Sequence, residues 1–193
     1  AGRGAAVTQE LQQEGFHRDL LVKVDLGETG EWAAGCSVVA RTHLPPGIYV
    51  DPYELASLQQ HNLTKAVLIP DIIDVEAPEY SATGLVVLLY LERDPRCLRC
   101  FRGALPVHVR YHRPAGDGEE ALVALKSPEV LVCCCDGEFL RVSTGGQLGE
   151  KEECLPWFWG REIVTAWLEL RGAQAKGEFF SPLRTEGPRY HMG

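Results

Sequence analysis

From Phe16 onward, apolar residues fall on every second position. Leu20, Val22, Val24 and Leu26 share one parity, with Lys23 and Asp25 between them. Side chains of an extended chain point alternately to opposite faces, so this parity marks a half-buried strand. Further strand candidates follow at Cys36–Ala40, Ala66–Ile69 and Val107–Arg113, and Ala121–Leu125 with Val130–Cys134 read as a final pair. Leu85–Leu91, LVVLLYL, is long and apolar enough to be central. Amphipathic helices do not separate these strands, which disfavours a parallel α/β arrangement. The pattern predicts an all-β fold: a β-sandwich of mainly antiparallel strands with one short helix.

That helix is announced within Leu44–Leu58, LPPGIYVDPYELASL. Leu44-Pro45-Pro46-Gly47 is a turn, in which proline fixes φ and glycine accepts a positive φ at low cost. Ile48-Tyr49-Val50 is a short β-prone run. Asp51 can cap a helix, Pro52 suits its first position, and Glu54 sits where a capping box wants a carboxylate. Tyr53, Leu55, Ala56 and Leu58 then form an apolar stripe at roughly helical spacing. Further on, Asp117-Gly118 fits a hairpin turn between Arg113 and Ala121.

The 193 residues suffice for one domain with a sizeable core. A net charge of −8 argues against a nucleic-acid partner, because phosphate affinity rests on cationic neutralisation. The local exception is Arg93, Arg96, Arg99 and Arg102, read as a solvated loop with an acidic-surface docking patch as the sharper alternative. No run approaches the roughly 20 apolar residues of a membrane helix.

Seven cysteines favour an oxidising compartment, and an odd count leaves a thiol unpaired or paired between chains. The disulfide candidates are Cys36, Cys97, Cys100 and, from the triplet Cys133-Cys134-Cys135, Cys134. Cys97 and Cys100 form a CxxC, for which structural disulfide use leads. A redox pair would need a helix N-terminus to lower the thiol pKa, and a zinc half-site would need a second ligand pair that the triplet does not supply. His108 and His112 lie about 13 Å apart along a strand, too far to share one metal ion. With Arg110 they form one strand face, expected to be a polar, partly cationic surface. Asn62-Leu63-Thr64 is a glycosylation sequon in a predicted loop after the helix. There is no Walker loop, GxSxG or HExxH, and Asp71 and Asp74 do not form an Asp-x-Asp pair. The reading is a non-enzyme with no catalytic residues, metal or cofactor.

These segments together resemble a known family. Gly15-Phe16-His17-Arg18-Asp19-Leu20-Leu21-Val22-Lys23-Val24 looks like the opening strand of the PIG-X family, phosphatidylinositol-glycan biosynthesis class X. Leu44–Leu58, the Cys97-Leu98-Arg99-Cys100-Phe101 element and Leu105-Pro106-Val107-His108-Val109-Arg110-Tyr111-His112-Arg113-Pro114, followed by the Asp117-Gly118-Glu119 turn, are similar to motifs of its luminal domain. The resemblance covers roughly residues 15–139. It implies a non-catalytic subunit of the endoplasmic reticulum that binds and stabilises PIG-M, the mannosyltransferase catalytic subunit of GPI-anchor assembly. With this setting, glycosylation of Asn62 is expected. The expected organisation is a flexible segment over 1–14, a luminal β-sandwich over 15–139, and a divergent tail over 140–193, partly helical or disordered. Within that tail lie the aromatic cluster Pro156–Trp159 and a helix candidate over Arg161–Arg171. The family's C-terminal membrane helix is not found there. Two rival readings are a secreted or ectodomain binding module, lectin-like in character, and a thiol oxidoreductase using Cys97 and Cys100.

Overall fold

The structure, a computed structural model, describes residues 5–27, 36–113, 121–133, 138–142, 152–153 and 181–185. The elements are β1 (Ala6–Gln12), β2 (His17–Asp25), β3 (Ser37–Leu44), β4 (Ile48–Tyr49), α1 (Pro52–Gln60), β5 (Lys65–Ile69), β6 (Leu85–Arg93), β7 (Cys100–Val109), β8 (Ala121–Leu125), β9 (Glu129–Cys133), β10 (Glu138–Val142), β11 (Glu152–Glu153) and β12 (Ser181–Thr185). A 3-10 turn covers Glu79–Ser81. Among the described residues, the all-β fold with one short α-helix is the one the sequence predicts.

The strands run in the order β1-β2-β7-β6-β3-β9-β10-β11, with β4 beside β7 and β5 beside β6, and β12 pairs separately with β8. Every pairing is antiparallel. β6 is where the sheet curls. Val38–Leu44 of β3 pair along it from Leu91 to Leu85, whereas only Glu92 and Arg93 reach across to Arg102 and Phe101 of β7. The strands on either side of this switch enclose one core. It gathers Leu20, Val22 and Val24 from β2, Val38 and Ala40 from β3, Val87 and Leu89 from β6, Leu105 and Val107 from β7, and Val130 and Val132 from β9.

The apolar run of β6 has a use for both parities. Leu85, Val87, Leu89 and Leu91 enter this core, while Leu88 joins Val39 and Leu131 in a second cluster flanked by Val86 and Tyr90. A strand covered on both faces loses its polar alternation.

Several local expectations shift. Ala6–Gln12 forms β1, paired along its length with β2, where composition suggests a frayed segment. Its alternation is real but muted: Val7 and Leu11 pack against the core. The strand expected over Val107–Arg113 instead spans Cys100–Val109. Pro106 lies inside it without disrupting the ladder. Val109 N–H donates to Phe16 O at 2.7 Å, which fixes Asp19 and Pro106 as a non-hydrogen-bonded pair. The ring nitrogen therefore faces away from β2, where no ladder bond is lost. β8 and β9 do not pair with each other among the described residues; β9 joins β3 and β10, and β8 joins β12. The hairpin turn at Asp117-Gly118, the aromatic cluster Pro156–Trp159 and the helix expected over Arg161–Arg171 lie outside the described residues.

The helix begins as its sequence dictates. Asp51 Oδ1 accepts from the N–H groups of Tyr53 and Glu54 at 2.8 and 3.4 Å, and Pro52 occupies the first turn. The apolar stripe does not bury as one face, however: Leu55 is buried while Tyr53 and Ala56 are exposed. In the preceding turn Ile48 N–H donates to Pro45 O at 3.0 Å. Gly47 serves clearance there rather than a positive φ, since a Cβ would come within 3.0 Å of His112 Nε2 and 3.2 Å of Val123 Cγ2. No helix among the described residues is long and apolar enough to cross a membrane.

Candidate functional site

β7 sends Phe101, Leu105, Val107 and Val109 into the core, so His108 stands on the outer face. Its neighbours follow from register. His17 of β2 lies opposite on one side and Tyr49 of β4 on the other. His17 and His108 form a non-hydrogen-bonded antiparallel pair, the type in which side chains approach most closely. Their rings stack 4.6 Å apart, within 5° of parallel. The Tyr49 ring stacks on the other neighbour position at 5.2 Å from His108. Three adjacent strands thus carry a row of rings.

α1 closes over this row. Glu54, placed in the first helical turn by the Asp51 cap, directs its carboxylate to the histidines rather than serving a capping box. Oε2 lies 2.7 Å from His108 Nε2, and Oε1 lies 3.3 Å from His17 Nε2. One carboxylate thereby ties the helix to two strands.

Arg110, two residues past His108, extends the row. Its guanidinium carbon lies 4.5 Å from the centre of the Tyr49 ring, and Nη1 donates to Ala77 O at 2.6 Å. That carbonyl is presented by a turn in which Asp74 Oδ1 accepts from the N–H groups of Glu76 and Ala77 at 3.0 and 3.2 Å. Burial lowers the Arg110 pKa from its usual range, and Tyr49 and Asp74 act against the shift. Burial likewise raises the Tyr49 phenol, with Arg110 opposing. The polar, partly cationic surface expected of His108, Arg110 and His112 is therefore only partly present. Arg110 is 4% exposed. The strand has ended by His112, whose Nδ1 lies 2.9 Å from Arg110 O.

An exposed aromatic patch adjoins the row. Phe16 and Tyr111 pair with ring centres 5.6 Å apart, and Tyr111 is 65% exposed. Glu79 N–H donates to Tyr111 O at 2.9 Å, and Arg113 lies over the ring of Tyr80 at 4.7 Å.

The other candidates occupy separate places. Cys97 and Cys100 are joined by a disulfide in the turn between β6 and β7, where Asp94 N–H donates to Cys100 O at 2.8 Å and Cys97 N–H to Asp94 O at 3.1 Å. Cys36 is disulfide-bonded, and Cys134 lies outside the described residues. Within the arginine cluster, Arg99 Nε lies 3.0 Å from Asp25 Oδ1, and Arg93 lies over Phe101 at 5.2 Å. Asn62 is exposed just beyond α1 with φ of 55°, while the Thr64 hydroxyl donates to Ala104 O at 3.0 Å.

Sequence comparison points the same way as these motifs. The profile of the PIG-X / PBN1 family matches residues 13–152, which takes in the whole His17–Arg113 region. A protein of Mus musculus described as "GPI alpha-1,4-mannosyltransferase I, stabilizing subunit" is 43% identical over 146 residues, covering 72% of this chain and 57% of its own length. The Homo sapiens protein of the same description is 47% identical over 131 residues, covering 68% of this chain and 50% of its own length. A more distant relative, "Protein pbn1" of Neurospora crassa, is 29% identical over 134 residues, or 66% of this chain and 26% of its own length. The chain spans about half the length of the mammalian relatives it matches. A match of this extent, running through the strands that carry the histidine row, places the chain in the PIG-X / PBN1 family.

Proposed function

We propose that this protein is the non-catalytic stabilising subunit of GPI mannosyltransferase I in GPI-anchor biosynthesis. Its β-domain sits in the lumen of the endoplasmic reticulum and docks on luminal loops of the catalytic subunit, PIG-M. The observation that carries this reading is the 43% and 47% identity to proteins described as stabilising subunits of that enzyme. The mechanism is mass action. A partner that binds only the native enzyme depletes its unfolded population, and about 1–2 kcal/mol of stabilisation changes abundance severalfold. Such a subunit needs a firm frame and a contact surface more than a reactive centre. The exposed Phe16–Tyr111 pair suits the contact, since aromatic residues concentrate at interfaces. In cells lacking this protein, the catalytic subunit should fall in amount at unchanged messenger level. Equal amounts with and without it would remove the assignment.

The luminal placement has its own test. The exposed sequon at Asn62 should carry a glycan that keeps the end of α1 out of tight interfaces. Endoglycosidase treatment of the protein from cells should increase its gel mobility, and Asn62→Gln should abolish that shift. An untreated protein already running at the digested position would count against residence in the lumen.

A further inference from the structure

The His17, Glu54 and His108 side chains do more than clasp a helix to a sheet. Each offers one donor atom, and these lie within 4.8 Å of one another. Two imidazole nitrogens and one carboxylate form a donor set that zinc-class ions favour. The spacing is close to what coordination requires. Ligand atoms around a tetrahedral zinc, at bonds of roughly 2.0–2.1 Å, stand about 3.3 Å apart. The N···O separations here are 2.7 Å from His108 to Oε2 and 3.3 Å from His17 to Oε1, two oxygens of the one carboxylate, and one donor atom from each residue fits within 4.8 Å of the others. We propose that His17, Glu54 and His108 bind one divalent transition-metal ion of the zinc class, with water in the remaining position.

Coordination asks for one adjustment. The stacked rings lie within 5° of parallel, so their in-plane lone pairs run side by side rather than toward one point. His17 is the ring that can tilt, since its side chain is 53% exposed. His108 stays fixed between β2 and β4. The ion takes the place of the protons on the Nε2 atoms that face Glu54; a neutral ring keeps its proton on Nδ1, and an imidazolium gives up its second proton to solvent. It staples β2, β7 and α1, whose residues are far apart in sequence.

The test uses the full chain, stripped with chelator and titrated with Co2+ and then Zn2+. Calorimetry should show a single saturable equivalent, displaced by zinc. The cobalt spectrum should report nitrogen and oxygen ligands without a sulfur charge-transfer band, which separates this site from the cysteines. His17→Phe keeps a ring stacked on His108 but removes the donor nitrogen. It should weaken binding by more than about tenfold, while the metal-free Tm falls only by the little that one exposed His–Glu contact contributes. Glu54→Gln should weaken binding by a similar factor. Absence of a saturable equivalent, a sulfur charge-transfer band, or full affinity in His17→Phe would each overturn the proposal.

Discussion

Leu105→Ala should lower the unfolding free energy by about 2–5 kcal/mol, the range for emptying a buried leucine site. Leu105 is 0% exposed and stands opposite Leu20, which is equally buried, across the β2–β7 ladder. β7 also touches β6 at one end and β4 at the other, so the strand joins the two sides of the curled sheet. The lining of a cavity here is held by that ladder and cannot collapse freely. A urea melt should show a lower midpoint at unchanged m-value, the sign of lost stability without a change in the surface exposed on unfolding. Leu98→Ala is the control. Leu98 is 77% exposed, and its loss should stay within about 0.5 kcal/mol. A small effect at Leu105, or a larger one at Leu98, would mean that the core does not lie between these strands.

Arg110→Ala should cost about 2–4 kcal/mol, combining a lost hydrogen bond from a charged donor with a lost cation–π contact and lost packing. Its buried guanidinium holds Ala77 O and the Tyr49 ring together, joining the Asp74–Ala77 turn to β4 and β7. The net stays below the sum of these gains because burying the charge carries its own cost. Arg110 Nε, moreover, has no hydrogen-bond partner among the described residues. Arg110→Lys should recover only part of the loss. An ammonium keeps the charge but not the planar group that lies over Tyr49 while bonding Ala77. Equilibrium unfolding of the two variants checks this ordering. An Arg110→Ala protein as stable as the wild type would show that the row is decoration on the sheet rather than a tie within it.

The strands with clean alternation were legible from residues alone. Leu20, Val22 and Val24 read as one buried face and are one, and Asp51-Pro52 starts the helix as its chemistry requires. The start of β7 was hidden by Pro106, which reads as a boundary unless the hydrogen-bond phase of the ladder is known. β1 was hidden because Gln9 stands between Val7 and Leu11 on the inward parity and interrupts the apolar alternation they carry.

The histidine row was the least legible feature. Sequence reasoning compares His108 with His112 on the same strand, but its partners are His17, Tyr49 and Glu54. They meet through strand register and through the Asp51 cap that sets Glu54 over the sheet. Neither a spacing rule nor a charge pattern along one segment encodes such a meeting. Arg110 was misread for a related reason. Alternation places it on the outer face, but the Asp74–Ala77 turn that covers it comes from a loop more than thirty residues upstream.

The role proposed for this chain is to keep a mannosyltransferase folded. The half-life of the catalytic subunit, followed by pulse-chase in cells lacking this protein, tests it most directly. The subunit should decay severalfold faster than in normal cells. Re-expression of the wild-type protein should restore its lifetime, and the destabilised Leu105→Ala variant should restore it poorly. An unchanged half-life in its absence, with GPI-anchored surface proteins at normal levels, would contradict the account.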